Sequence, residues 1–138
     1  MKKKLRQKKE IDNRGVAIYA RKSRITHKGD STGIQIKQSA DFASSQLQLP
    51  PDYEFTIYED KGLSGYYSDR PDFQKMLHDI EAGKIRAVVC YKLDRISRKT
   101  SDLLRLVDFL DKYDVALLVC SNNINTMIST SKIMISFL

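Results

Sequence analysis

Apolar residues recur along this chain in two alternating rhythms, and the alternation predicts strands separated by helices. Val16, Ala17, Ile18 and Ala20 form a short, nearly continuous apolar run, the pattern of a strand covered on both faces in a parallel sheet. After the turn Gly29-Asp-Ser-Thr-Gly33, where Asp30, Ser31 or Thr32 can cap a helix, Ile36, Ala40, Ala43 and Leu47 repeat at helical spacing until Pro50 and Pro51. Tyr53 to Tyr58 alternates as a strand should. Glu59 to Gly65 is too glycine-rich for regular structure and reads as a loop. A second helix is predicted from Arg70 and Pro71, burying Phe73, Met76, Leu77 and Ile80 and ending at Gly83. Ala87 to Tyr91 is a third strand, and Thr100 or Ser101 can cap a third helix with Leu103, Leu106, Val107 and Leu110 on one stripe. Val115 to Cys120 is a fourth strand. Ser129 to Leu138 begins another helix and stops mid-pattern, with Ile133, Met134, Phe137 and Leu138 on one side. Strands alternating with helices predict right-handed βαβ units, hence a parallel sheet with helices on both faces.

Composition narrows the functional classes. At 138 residues the chain is one domain by size. Its formal charge of +7 is uneven: residues 1–14 hold seven Lys or Arg against two acidic residues, net +5, leaving +2 for residues 15–138. Residues 1–14 read as a disordered basic arm suited to a polyanion, or as a solubilising tail, and residues 15–138 as the folded body. The absence of an eighteen-residue apolar run or a signal-peptide core predicts a cytoplasmic protein with no membrane partner. Cys90 and Cys120 sit in apolar runs and read as buried thiols, while His27 and His78 are isolated and suggest neither a zinc site nor a triad base.

The candidate chemistry lies where strands end. Arg21, Lys22, Ser23 and Arg24 follow the first strand, and Lys92, Asp94, Arg95, Arg98 and Lys99 follow the third. In open α/β sheets, ligands bind beyond the carboxyl ends of the strands. A hydroxyl among guanidinium groups points to an anion, most simply a phosphate, because arginine presents a planar fork of donors and keeps its charge. With Arg70 at the second helix start, four arginines can converge on one crevice. A phosphodiester transition state spreads charge over its non-bridging oxygens, which such cations stabilise, and Ser23 beside them can attack phosphorus. Taken alone, the post-strand tetrad also fits a plain solvated turn. No Gly-x-x-x-x-Gly-Lys loop or dinucleotide fingerprint supports a nucleotide-binding or phosphatase-like alternative.

Four pieces in order, Tyr19-Ala-Arg-Lys-Ser23, Asp60-Lys-Gly-Leu-Ser-Gly65, Arg70-Pro-Asp-Phe73 and Tyr91-Lys-Leu-Asp-Arg-Ile-Ser-Arg98, together resemble the catalytic domain of the serine recombinases, the resolvase and invertase family, most of all its large phage-integrase and transposon type. The resemblance implies a three-layer α/β fold with a mainly parallel sheet of four to five strands. It implies that Ser23 becomes joined to a 5′ phosphate of cut DNA, that Arg21, Arg70, Arg95 and Arg98 bind the scissile phosphate, and that Asp94 orients an arginine or moves a proton. Gln35 matches an active-site glutamine, and Lys92 and Arg24 would contact DNA. The implied partners are double-stranded DNA and further copies of the chain, a homodimer and a homotetramer in the synaptic complex, with no cofactor and no metal. An inactive DNA-binding or oligomerisation module of the same fold is the alternative.

Two departures bear on assembly. Asn122-Asn-Ile-Asn-Thr-Met127 stands where relatives carry an acidic residue and a Ser or Thr, and Ser131 stands where a glycine is common before Lys132. The final helix reads as truncated within the long helix of that family, so sequence-specific site recognition is not expected of these residues.

Overall fold

A computed structural model describes residues 12–22, 31–61 and 70–127. Five strands and three helices alternate: β1 (Gly15–Arg21), α1 (Thr32–Leu47), β2 (Thr56–Asp60), α2 (Pro71–Glu81), β3 (Ile85–Cys90), α3 (Thr100–Lys112), β4 (Ala116–Val119) and β5 (Ile124–Asn125), with a 3₁₀ turn at Leu93–Arg95. The sheet order is β2-β1-β3-β4-β5. β1 pairs in parallel with β2 and β3, and β3 with β4, while β5 runs antiparallel to β4.

The strand order fixes where a ligand can bind. From β1 the chain moves one way to β2, then reverses across β1 to β3 and β4. Right-handed crossovers therefore place the first helix on one face and the next two on the other. Packing follows that rule: Val16, Ile18, Ala87, Val89 and Leu118 pack toward Ala43 of α1, whereas Ala17, Tyr19, Val88, Cys90, Leu117 and Val119 pack with Met76 and Ile80 of α2 and Leu103, Leu106 and Leu110 of α3. The result is the expected three-layer α/β fold. Val16 to Ala20 are fully buried because both faces of β1 are covered. The order reverses between β1 and β3, and their carboxyl ends form the switch-point crevice.

Local chemistry sets the element ends. Ser31 caps α1 by accepting a hydrogen bond from the Ile34 N–H at 3.2 Å. Gly83, at φ 79°, ends α2 as its N–H donates to Ile80 O. Three expectations need correction. The second strand is not Tyr53 to Tyr58 but Thr56–Asp60; Tyr53 and Phe55 pack toward α1 instead, and Glu59 and Asp60, read as loop, finish the strand opposite Ala20 and Arg21. Neither Thr100 nor Ser101 caps α3, whose N-cap position is Lys99; the Ser97 hydroxyl accepts the Lys99 N–H and donates to Asp102. Cys120 is only half-buried, while Cys90 is fully buried as expected. Asn122 to Met127 holds the short strand β5, anchored by Asn125 Nδ2 donating to Gln46 Oε1 at 2.9 Å. The helix predicted over Ser129 to Leu138 lies outside the described residues. Among the described residues no helix is long and apolar enough to cross a membrane.

At the opposite edge of the sheet Arg14 ties three elements together. Its guanidinium donates to the backbone carbonyls of Ile85, Tyr113 and Asp114 at 3.0–3.1 Å and pairs with Asp12 at 2.8 Å. Arg14→Ala removes these charged hydrogen bonds and is expected to lower stability by roughly 1.5–3 kcal/mol, read as a reduced midpoint in urea unfolding with an unchanged slope.

Candidate active site

Because β1 to β4 are mutually parallel, the residues that follow them gather at one edge. Arg21 ends β1, and Gln35 holds its backbone from both sides. The Arg21 N–H donates to Gln35 Oε1 at 3.3 Å, and Gln35 Nε2 donates to Arg21 O at 3.0 Å. Gln35 is 1 % exposed and belongs to the first turn of α1, so helix α1 fixes the end of β1.

The turn after β3 is anchored by buried Leu93 and Ile96 and carries Asp94 and Arg95 between them. Arg95 is 7 % exposed, and its Nε lies 3.8 Å from Asp94 Oδ1, consistent with a carboxylate that orients the guanidinium. The carbonyl of Arg95 accepts from Arg21 Nε at 3.2 Å and from Arg70 Nη2 at 3.3 Å. Arg70 also donates to Ile96 O at 2.8 Å. The same turn therefore receives two of the arginines.

Arg70 is held from behind as well. Its Nε and Nη2 both donate to the Tyr19 hydroxyl at 3.2 Å, and the guanidinium stacks 4.0 Å from the Phe73 ring centre. Tyr19 in turn donates to Asp60 Oδ2 at 2.7 Å. Asp60, 5 % exposed, accepts the N–H groups of Asp72 and Phe73 at 2.9 and 3.0 Å. Arg70, the N-cap residue of α2, supplies no side-chain cap, and a carboxylate from the neighbouring strand does so instead. A guanidinium has five N–H groups, and among the described residues four hydrogen bonds leave Arg70 one.

The electrostatics show that the cations face each other. Burial, followed by the charges of Arg70, Arg95 and Arg98 with Tyr19 opposing, pushes the Arg21 guanidinium below its ordinary range. Arg98 is exposed and makes no hydrogen bond or ion pair among the described residues. Lys92, also exposed, contacts only the Tyr91 ring, at 5.6 Å. Among the described residues these like charges outnumber the acids beside them, an arrangement suited to an anion.

The structure thus brings together Arg21, Gln35, Arg70, Asp94, Arg95, Arg98 and Lys92 at the switch-point edge. Ser23 and Arg24 lie outside the described residues. A model of the family described as Resolvase, N terminal domain, matches residues 16–138. The chain belongs to this resolvase family. It is 33 % identical over 105 residues to a putative DNA recombinase of Bacillus subtilis (strain 168), covering 75 % of this chain and 20 % of that protein. It is 32 % identical over 76 residues to the transposon Tn917 resolvase of Enterococcus faecalis, covering 55 % of this chain and 40 % of that one. The resolvase-type chain therefore spans well under half of each of these relatives. Among solved structures it is similar to the N-terminal catalytic domain of TP901-1 integrase (29 % identity, TM-score 0.73, 90 % of each chain). It is also similar to a resolvase family site-specific recombinase from Streptococcus pneumoniae (32 % identity, TM-score 0.70, 90 % of this chain and 82 % of that one).

Two members of the resolvase-type site were not among the predicted site residues: the Tyr19 hydroxyl and Asp60. The Tyr19 ring packs in the core, and only its hydroxyl reaches the site. Asp60 opens the motif Asp60-Lys-Gly-Leu-Ser-Gly65 but fell in the stretch read as loop.

Tyr19→Phe leaves Asp60 and Arg70 each short of a partner and is expected to cost roughly 1–3 kcal/mol in urea unfolding. Burial, with Asp60 adding to it and Arg70 opposing, raises the Tyr19 phenol above its ordinary value of 10.0. A raised folded-state value means that its contribution is whole below pH 10 and is lost as pH rises further. Stability should therefore fall above about pH 10, and less steeply in Tyr19→Phe; equal slopes in the two proteins would count against this.

Proposed function

We propose that this chain is the catalytic part of a site-specific DNA recombinase that breaks and rejoins strands through Ser23. The Oγ of Ser23 attacks the scissile phosphorus and gives up its proton. An Oγ–P bond forms, the bond to the 3′ oxygen breaks, and that oxygen leaves as a hydroxyl after taking a proton. The 5′-phosphoserine ester conserves the bond energy, so the reverse attack by a 3′ hydroxyl rejoins DNA. The observation that carries this reading is the convergence of Arg70, Arg95 and Arg98 on Arg21, whose guanidinium is pushed down first by burial and then by their charges. Such preformed donors stabilise the spread charge of a phosphoryl transition state.

This reading gives the residues distinct roles. Arg95 and Arg98 supply donors to the phosphate, with Asp94 orienting Arg95. Arg21 is aimed by Gln35. Arg70 acts through its charge, its remaining N–H and the turn it braces. Lys92 and Arg24 contact the flanking DNA backbone. Strand exchange requires paired subunits, so the acting form is a dimer that becomes a tetramer around two duplexes, within the cytoplasm, and the lysines and arginine of residues 1–11 add salt-dependent affinity.

Full-length protein incubated with its recombination site should give a protein–DNA adduct in denaturing gels, lost in Ser23→Ala. An adduct that survives this change moves the nucleophile elsewhere; DNA binding with no adduct from the unaltered protein favours the inactive module. Arg95→Ala is expected to slow cleavage roughly 10²–10³-fold, on the scale of a lost oxyanion donor, measured in single-turnover adduct formation.

A further inference from the structure

Beyond the arginine cluster, an open cleft of about 510 Å³ lies between the loops that follow β3 and β4. Lys92, Arg98, Ser121 and Asn122 line it, and Leu93 and Leu103, only 7 % and 6 % exposed, give it an apolar floor. Its size falls within the roughly 300–1,000 Å³ of small-ligand sites and far exceeds what one phosphate needs. Asp94 and Arg98 line the cleft, and Asp94 Oδ1 lies 3.8 Å from Arg95 Nε, so the cleft borders the arginine cluster.

The rim chemistry is specific about what enters. Lys92 and Arg98 have no acidic partner among the described residues, whereas Asp94, which also lines the cleft, lies 3.8 Å from Arg95. The Ser121 hydroxyl donates to Asn122 Oδ1 at 3.3 Å, which fixes that oxygen and leaves both amide N–H donors unengaged among the described residues. An apolar floor, unengaged amide donors and unpaired cations suit a ligand with one flat, heteroatom-rich part and one anionic part.

We propose that the cleft is a nucleoside subsite. With the scissile phosphate on the arginines, the sugar and base on one side of it lie over Leu93 and Leu103 and accept hydrogen bonds from Asn122. This rests on the recombinase reading for its substrate, but it makes a claim that reading does not contain: the loop after β4 touches the nucleotide, not only the phosphate.

The test compares inorganic phosphate with thymidine 5′- and 3′-monophosphate, followed by amide NMR shifts of the 138-residue chain. Phosphate should move signals of Arg21, Arg70, Arg95 and Arg98 only. One of the two nucleotides should in addition move Ser121, Asn122 and Lys92, and which one does so identifies the side of the scissile bond. Asn122→Ala should weaken that nucleotide about fivefold, as for one lost hydrogen bond, with phosphate affinity unchanged, and Asn122→Asp should weaken it further. Nucleotides that bind no tighter than phosphate and move the same signals would overturn the subsite, as would equal affinity for Asn122→Ala and the parent. Failure of adduct formation with DNA, alongside intact nucleotide binding in the cleft, would remove the recombinase reading and leave the subsite standing.

Discussion

A single phenol between a buried carboxylate and a guanidinium holds the functional edge of this protein in register. Tyr19 stands on the central strand, Asp60 at the end of the neighbouring strand and Arg70 at the start of the helix that leaves it. Each alone would be an expensive group to bury. Asp60 offsets its desolvation with two helix N–H groups and the tyrosine proton, and Arg70 with the phenol oxygen, two carbonyls and an aromatic face. Satisfied in this way, the trio locks β1, β2, α2 and the turn after β3 to one another. The placement of Arg21 and Arg95 then follows from strand geometry, since the turn that accepts Arg70 also accepts Arg21.

That arrangement has an electrostatic consequence. Holding several guanidinium groups within reach of one another is unfavourable in the free protein, and after burial the neighbouring arginines push Arg21 down. The hydrogen bonds to carbonyl oxygens offset part of this repulsion without neutralising it. On the proposed reading, an arriving phosphate would neutralise it, and because the donors are already placed, little reorganisation would accompany the charge that develops on its oxygens. Asp94 and Gln35 contribute by aiming rather than by contact: one faces the Arg95 Nε, the other grips the backbone of Arg21.

The fold was legible where burial is two-sided. β1 and β3 announce themselves because both faces are covered, and the helices because Met76, Ile80, Leu103, Leu106 and Leu110 fall on single stripes. β2 was displaced by three residues at its start because it is an edge strand, with Thr56 and Ile57 exposed, and because Tyr53 and Phe55 bury against α1 without being strand. β5 is two residues long, too short for any periodicity. At the site, the arginines and Gln35 were legible from motif and position. The hydroxyl of Tyr19 was not, because its partner lies 41 residues away and an apolar run gives no hint of which ring carries a satisfied polar tip.

The outer margin of β2 is a row of main-chain groups that could recruit a further strand from a neighbouring molecule. There the Asp72 carboxylate accepts the Glu59 N–H at 2.8 Å, and the strand is only five residues long. With that donor occupied by the protein's own helix start, growth of the sheet from copy to copy is barred at this position. A strand added along this edge would have to give up that hydrogen bond, so here contact through side chains is favoured over a shared ladder of peptide bonds.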